Sequence, residues 1–374
     1  MSNIDDLLAK MCPEGVIRLP ISDLCTTFSG GFIKKTKQDL SFEFPVYNGG
    51  AEPTGFYDEF NSPAKSIAIS GRGSIGFVNW VPTKFWAGNS CHVVQANSKE
   101  LDNKFLYYYL KNHEEDLRAL KNTGSIPALN LGPLLKFLIP RPPLEIQKEI
   151  VTILDKFTEL EAELEAELEA RKVQYSHFSE SLFIFKKGES KRLKVRDICG
   201  ISRGTVISKD YLRDHPGEYP VYSSQTLNNG IFGYIDTFAY NFESLTWTTD
   251  GANAGSIFYH QNENFTITNV CGLLQVLDPS IISARYLYYL LKIEAPKHVS
   301  PGMGNPKIMA GTMGDIQLEI PTFKRQLEIV EILDKFDSLL NDVTIGLPAE
   351  IKARRQQYEY YRNKLLTFKE LDVA

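Results

Sequence analysis

The sequence predicts an α+β fold written twice: two homologous α+β domains separated by two long antiparallel coiled-coil helices, a tandem repeat with a pseudo-two-fold axis. Three observations predict it. The first is duplication. Along the 374 residues, "QKEIVTILDKF" (Gln147–Phe157) recurs as "QLEIVEILDKF" (Gln326–Phe336), and "ARKVQYSHFSESL" (Ala170–Leu182) as "ARRQQYEYYRNKL" (Ala353–Leu365). Weaker matches keep the same order: "RLPISDLC" with "RLKVRDIC", "FPVYNGG" with "YPVYSSQ", "FWAGNSC" with "FTITNVC", "KFLYYYL" with "RYLYYLL", and "SIPALN" with "GNPKIM". The second is the run of short β-type segments punctuated by Gly, Asn and Pro. The third is a pair of long segments whose apolar residues return at alternating steps of four and three, the seam of a coiled coil.

The elements follow in order. Residues 1–140 make the first domain, in which "SIAISGRGSIGFVNW" reads as strand, Gly-rich turn, strand, and "KFLYYYLKNHEEDLRAL" as an amphipathic helix with an aromatic face. A first spacer helix, 141–187, begins after Pro142 and Pro143, where proline suits the first helical turn. Its seam runs through Ile146, Ile150, Ile153, Phe157, Leu160 and Leu164, stutters to Leu168, and resumes at positions 171, 175, 178 and 182. Such a stutter locally unwinds a supercoil. The second domain, 188–321, repeats the plan with "SLTWTTDGANAGSIFYH" and the helix "ARYLYYLLKI". The second spacer, 322–374, opens at "IPTFKRQ", and its seam passes positions 329, 332, 336, 339 and 343. There it meets "GLPAEI", where Gly346 and Pro348 kink or break the helix, and it resumes at 351, 354, 358, 361 and 365. About 40 helical residues reach ~60 Å at ~1.5 Å per residue. Two seams in one chain bury each other most simply when the second helix runs back against the first.

Apolar content of 43% and charged content of 23% are those of an ordinary globular protein. The five cysteines, Cys12, Cys25, Cys91, Cys199 and Cys271, include no CxxC, which argues against a zinc site or disulfide framework and fits a reducing cytoplasm. Those at matching positions, Cys25 with Cys199 and Cys91 with Cys271, read as buried small hydrophobes. No secretory pattern opens the chain and no stretch nears ~18 apolar residues, so a cytoplasmic protein without membrane contact is expected. The net charge of −5 counts against a non-specific nucleic-acid binder but leaves room for a reader with a local basic face.

Two related but diverged heads at a fixed spacing suit an extended ligand with two unlike half-sites, and DNA is the natural candidate, since dimers read half-sites at a separation set by their own geometry. In "SGRGSIG", backbone amides can cradle a phosphate while Arg72 reaches a guanine edge, with Ser74 a further DNA-binding candidate; a plain hairpin turn accounts for the same glycines. The second copy offers Asp250 or Asn253 in "TDGANAG". Lys34, Lys35 and Lys37 in "KKTK" suit phosphate or are a solvated cluster, and "RGTVISKD" supplies Arg203 and Lys209. Ser223, Ser224 and Gln225 stand at a strand end, where glutamine can pair with adenine or simply close a polar turn. The loops "KNTGSIP" and "MGNPK" add Lys121, Ser125 and Lys307. Leu154, Phe157, Leu160, Leu164, Leu168, Tyr175, Leu333, Phe336 and Tyr358 are expected in the coiled-coil core. Arg171, Lys172, Arg354 and Arg355 face outward, as a subunit interface or as the solvated basic end of an acidic helix.

The stretches "LDKF…ELEAELEARKVQY" and "LDKFDSLLNDVTIGLPAEIKARRQQYEYYRNKLL" closely resemble the spacer regions of type I restriction–modification specificity (S) subunits. "GRGSIGFV", "TTDGANAGSIFY" and the segments "IPRPPLEIQ" and "IPTFKRQ" resemble that family's target-recognition domains and their exits, so the resemblance covers essentially the whole chain. The longer second spacer with Gly346 and Pro348 departs from the pattern and makes the two spacers unequal. The resemblance implies a non-catalytic subunit reading a bipartite, asymmetric site in double-stranded DNA, one half per domain. It implies two methyltransferase (M) subunits bound through the spacers and adjoining surfaces, and restriction (R) subunits recruited to the complex. It implies no cofactor in this chain, with S-adenosylmethionine, ATP and Mg on the partners. Independently, the sequence has no [DNS]-P-P-[YFW], no strand-borne GxGxxG and no GxxxxGK[ST]. Two alternatives stay open: the specificity subunit of another multisubunit restriction–methylation system, and a two-headed coiled-coil scaffold whose heads bind protein or glycan.

Overall fold

The duplication in the sequence is a duplication of strand order. The structure, a computed structural model, describes residues 2–97, 99–122, 126–302, 304–341 and 345–371. The chain divides into two compact units: Met1–Glu165 with Glu350–Ala374, and Ala166–Ala349. The unit boundaries therefore fall inside the spacers, and each spacer segment packs with a head.

In the first unit, α1 (Ser2–Met11) precedes β1 (Arg18–Pro20), the single turn α2 (Ile21–Leu24) and β2 (Cys25–Ser29). Then come β3 (Phe44–Tyr47), β4 (Phe56–Tyr57), β5 (Ser66–Ser70), β6 (Val78–Val81), β7 (Trp86–Ala87) and β8 (Cys91–Ala96). They form two sheets, β2-β8-β5-β6 and β4-β3-β7. The expected aromatic helix is split at His113, whose backbone (φ −112°, ψ 27°) leaves the helical region, into α3 (Asn103–Asn112) and α4 (Glu114–Ala119). After α5 (Leu131–Leu135), β9 (Leu138–Pro140) pairs antiparallel with β1 and delivers the chain to α6 (Leu144–Ser181).

The second unit repeats this with β10 (Ser190–Lys194), α7 (Val195–Ile198), β11 (Cys199–Arg203), α8 (Lys209–Asp214) and β12 (Tyr219–Tyr222). Next are β13 (Ile231–Ile235), β14 (Ser244–Thr248), β15 (Ile257–His260), β16 (Thr266–Ile267) and β17 (Cys271–Val276). Its sheets are β11-β17-β14-β15 and β13-β12-β16. Then follow α9 (Ala284–Glu294), α10 (Ala310–Asp315), β18 (Gln317–Pro321) paired with β10, and α11 (Phe323–Asn341). A last helix, α12 (Leu347–Leu365), begins beyond Gly346, so the second spacer is broken where glycine and proline predicted it. Seam position 343 lies outside the described residues.

The two cores solve one packing problem in opposite ways. Across the β5–β8 pair Ile69 faces His92, and the His92 Nε2–H donates to the Leu129 carbonyl at 2.7 Å. Across β14–β17 Trp247 faces Gly272, and the indole Nε1–H donates to the Ile308 carbonyl at 3.0 Å. The large side chain has changed strand while its bond to the following loop is kept. A Cβ on Gly272 would stand 2.1 Å from the indole, so only glycine fits beneath it.

Each spacer is fastened to its head by two polar devices the sequence does not advertise. Gln147, fully buried, accepts from Asp102 N at 2.7 Å and donates to the carbonyls of Pro142 (2.7 Å) and Glu100 (3.1 Å). Gln326, also fully buried, accepts from Ser283 N at 2.9 Å and donates to those of Ile281 (2.9 Å) and Pro321 (3.1 Å). Two turns on, Asp155 accepts from the Tyr108 phenol and faces Lys104 at 3.5 Å. Asp334 accepts from Tyr289 at 2.6 Å and Arg285 at 2.8 Å.

The seam differs from a free-standing coiled coil. Leu154 lies in the head core with Phe105, Leu365 and Phe368, and Leu333 in the other with Tyr286 and Leu290. Burying such a leucine contributes about 1.5–3 kcal/mol. Beyond them Phe157 packs on Tyr361 (ring centroids 5.5 Å) and Tyr358 (6.3 Å), while Arg355 pairs with Glu161 at 2.5 Å and with Glu165. Partner numbers fall as α6 numbers rise, so this pairing is antiparallel. In the second unit Tyr175 and Phe178 pack on Phe336 at 5.9 and 5.6 Å. Leu164 and Leu168 are only half-buried and Leu160 is 37% exposed, against the expectation of a continuous core. The leucines there are spaced by four throughout, and each such step turns ~40° around the helix, so the stripe rotates off its partner.

Candidate nucleic-acid interface

The loop between β5 and β6 is closed by Gly76 N donating to Ser70 O (2.8 Å) and held from outside by three backbone bonds. Ser74 N donates to Gly49 O, Gly71 N to Ser90 O, and Leu129 N to Gly71 O, each at 2.8 Å. Asn48, in an Asn-Gly turn, fixes the neighbouring loop by accepting from Ser90 N at 3.0 Å. Arg72 and Ser74, both exposed, thus project from a cluster of loops 48–50, 70–76, 88–90 and 128–130. Lys121 is exposed at the start of the last loop, which Asn122 closes through Ala128 N at 2.9 Å. Ser125 lies outside the described residues. Lys34, Lys35 and Lys37 sit on and beside a 3-10 turn that packs by the β3–β4 hairpin, where Thr54 Oγ1 donates to Gln38 Oε1 at 3.1 Å. Among the described residues no hydrogen bond or ion pair joins that turn to Arg72.

The second unit uses the same frame. Gly255 N donates to Thr248 O (2.9 Å), Thr249 N to Val270 O (3.2 Å), and Ile308 N to Thr249 O (2.9 Å). Gly76 and Gly255 both take positive φ (77° and 85°), which lets the loop turn back at the same point. The side chains on the frame differ. Asp250 is half-exposed and bridged by backbone to Lys307, Gly251 N donates to Asn305 Oδ1 at 3.0 Å, and Asn253 Nδ2 donates to Thr226 Oγ1 at 2.9 Å. Thr268 Oγ1 donates to Ser223 Oγ at 2.9 Å, and Arg203 donates to the Asn269 carbonyl at 2.5 Å. The Gln225 amide donates to the Ile231 carbonyl, which spends part of its capacity to pair with a base; Ser224 beside it is half-buried. Arg203, Ser223, Gln225, Asp250, Asn253 and Lys307 therefore share one loop cluster. Lys209 starts α8, behind the cap of Ser208, apart from it.

Among the described residues, Lys34, Lys35, Lys37, Arg72, Lys121, Arg203, Lys209 and Lys307 form no ion pair, although the chain is acidic. Four cations of the spacers are paired: Arg171 with Glu167 (3.4 Å), Lys172 with Glu169 (2.7 Å), Arg354 with Glu350 (3.6 Å), and Arg355 with Glu161 and Glu165. Burial pushes the thiols of Cys91, Cys199 and Cys271 up to about 12; Cys25, expected to be buried, is only partly so at the start of β2, yet desolvation raises it to about 12 as well. The described residues contain no metal-ligating cluster and no helix long and apolar enough to cross a membrane.

Known proteins carry the same architecture. The model of the type I restriction modification DNA specificity domain matches twice, over residues 13–170 and 187–353. A Mycoplasma pneumoniae protein, provisionally named a type I specificity subunit, is 38% identical over 261 residues, covering 67% of this chain and 94% of that protein. The specificity subunit of the type I restriction enzyme MpnII, from the same organism, is 34% identical over 317 residues, with 67% and 94% covered. In fold, the type I restriction–modification S subunit from M. genitalium superposes with a TM-score of 0.61 at 19% identity, covering 94% of this chain and 96% of that one. The family domain is matched once in each repeat and the relatives carry the same assignment; the chain belongs to the type I restriction–modification DNA specificity family.

Proposed function

We propose that this chain is the DNA sequence-specificity subunit of a type I restriction–modification complex, reading a bipartite, asymmetric site with one half per unit. The observation that carries the reading is the pair of loop clusters. They share three backbone bonds and differ in the side chains they present: Arg72 and Ser74 in one, Asp250 and Asn253 in the other. Phosphate contacts position a protein and base contacts specify its sequence, so a constant frame with varied side chains suits two different half-sites. The unpaired lysines and arginines on these loops suit a polyanion, whose binding is driven by counterion release.

The partners under this reading are double-stranded DNA, two methyltransferase subunits and the restriction subunits. The chain itself is non-catalytic; S-adenosylmethionine, ATP and Mg act on the partner subunits, in the cytoplasm where the DNA is. Co-purification with a methyltransferase subunit, followed by mapping of methylated adenines in the host genome, tests it. A split motif with a fixed internal gap is the expected result. No methyltransferase partner and no salt-dependent duplex binding would overturn it, and a contiguous motif would remove the two-reader arrangement.

A further inference from the structure

The loop that follows β2, and its counterpart after β11, expose an apolar side chain where none is needed for packing. Phe32 is 71% exposed and Val206 is 78% exposed. Each follows a strand end in the same way. Gly31 bridges to Gly88 and Thr205 to Thr268, both parallel, and the next isoleucine, Ile33 or Ile207, turns back to become half-buried. Only glycine fits just before each: a Cβ on Gly30 would lie 2.2 Å from the Ala87 carbonyl oxygen, and one on Gly204 1.9 Å from that of Ile267. Phe60 and Phe238 are a second matched pair, 45% and 42% exposed, but each already packs on a neighbouring ring, Phe44 or Tyr219.

These two residues border the loop clusters described above. Gly88 N donates to Tyr47 O at 2.7 Å, and the chain from Tyr47 continues through Asn48 to Gly49, which holds Ser74. In the second unit Thr268 N donates to Tyr222 O at 2.9 Å, and Thr268 Oγ1 reaches Ser223. The segments themselves are basic: between Asp23 and Asp39 stand Lys34, Lys35 and Lys37, and between Asp197 and Asp210 stand Arg203 and Lys209. An exposed apolar group on a segment that carries unpaired cations fits a surface that is anionic with an apolar feature set into it. In the major groove of duplex DNA that feature is the thymine 5-methyl group. A valine is too short and too branched to wedge between stacked base pairs, whereas phenyl and isopropyl groups can both cover a methyl.

We propose that Phe32 and Val206 are specificity-determining residues, each packing against a thymine 5-methyl group in the half-site its own unit reads. The proposal rests on the specificity-subunit reading and extends it to the base chemistry recognised.

The test uses the full chain in complex with its methyltransferase subunits and a duplex carrying the mapped motif. Each thymine is replaced in turn by uracil, which lacks only the methyl. One uracil in each half should weaken binding about fourfold, the worth of one buried methyl. Phe32→Ala should abolish the uracil effect in one half and Val206→Ala in the other, with the salt dependence unchanged. Phe32→Leu, which keeps an apolar group, should retain the effect, and this separates removal of the apolar cover from damage to the fold. If no uracil position weakens binding, or the effect persists in both alanine variants, the inference is overturned while the wider reading stands. Failure of the native complex to bind the duplex at all would instead overturn the wider reading, and this inference with it.

Discussion

Gln147 and Gln326 occupy the same socket in their respective units, each fully buried with its amide oxygen on the N–H of a helix N-cap, Asp102 or Ser283. Each amide nitrogen holds two carbonyls, one from the proline just before its own helix and one from the segment before the N-cap. Gln326→Leu keeps the size and removes every one of these bonds, leaving buried groups unpaired. It should destabilise the fold by roughly 2–4 kcal/mol. A urea unfolding midpoint equal to that of the native chain would show that the socket contributes nothing.

Trp247 and Gly272 depend on each other across their strand pair. Gly272→Ala should cost roughly 1–3 kcal/mol, because the new methyl meets the Trp247 ring and overpacks the core. Combining Gly272→His with Trp247→Ile installs the arrangement of His92 and Ile69, and should recover most of that loss. Unfolding midpoints of the single and double variants decide it; a double variant no better than Gly272→Ala would mean the surrounding packing, and not the pair, sets the choice.

Base-reading and phosphate-binding cations should respond differently. Arg72→Ala should cost about 1–3 kcal/mol on the cognate duplex and relax one half of the methylated motif only. Replacing Lys34, Lys35 and Lys37 together should weaken binding alike for all sequences. The slope of log affinity against log salt should flatten by about one for each phosphate that a lysine no longer neutralises. Methylation mapping and salt titration read the two effects separately, and a motif untouched by Arg72→Ala removes that residue from the site.

The length of α6 should be legible in the DNA. Seven residues inserted after Leu164 keep the phase of the seam and lengthen the helix by ~10 Å, close to ~3 base pairs. The gap between the two halves of the motif should grow accordingly while both halves stay as they were. An unchanged gap would show that another element sets it.

Alkaline pH should loosen the protein through its buried thiols. Cys25, Cys91, Cys199 and Cys271 are each pushed up to about 12 by burial, from an ordinary value of 9.0. A raised folded-state value contributes stability that is fully present below about pH 9 and is lost as pH climbs towards about 12. The unfolding midpoint should fall between about pH 8 and pH 11, and Cys91→Ala with Cys271→Ala should blunt that fall. A midpoint flat across this range contradicts it.

The repeat and the helix period carried most of the architecture into the sequence: strand, turn and strand around Arg72, the aromatic helices, and the break at Gly346 are all legible there. What stayed hidden was hidden for physical reasons. Gln147 and Asp155 stand in a helix with polar neighbours, where glutamine and aspartate ordinarily face water; only their recurrence as Gln326 and Asp334 marks them. Leu154 and Leu333 keep the coiled-coil period yet belong to the heads, because a period fixes a face and not the partner that covers it. The exchange of Ile69 and His92 for Trp247 and Gly272 erases similarity at both positions, although the packing is equivalent. In the candidate interface, the sequence supplied the loops but not the backbone bonds that bind them into clusters, since those join segments far apart in the chain. Nor did it show that the Gln225 amide is already engaged.

The repeated socket also bears on how such a chain changes over generations. Both heads offer α6 and α11 the same joint, one N-cap amide and two carbonyls around a glutamine, and they do so despite diverged loops. A foreign head carrying that joint can be grafted at "IPRPPLEIQ" or "IPTFKRQ" without refitting the helix it meets. A single crossover in the gene then replaces half of what is read in one event, whereas point changes in the loops can only retouch it base by base. The glutamine works as a standard coupling, the same in both halves of the chain.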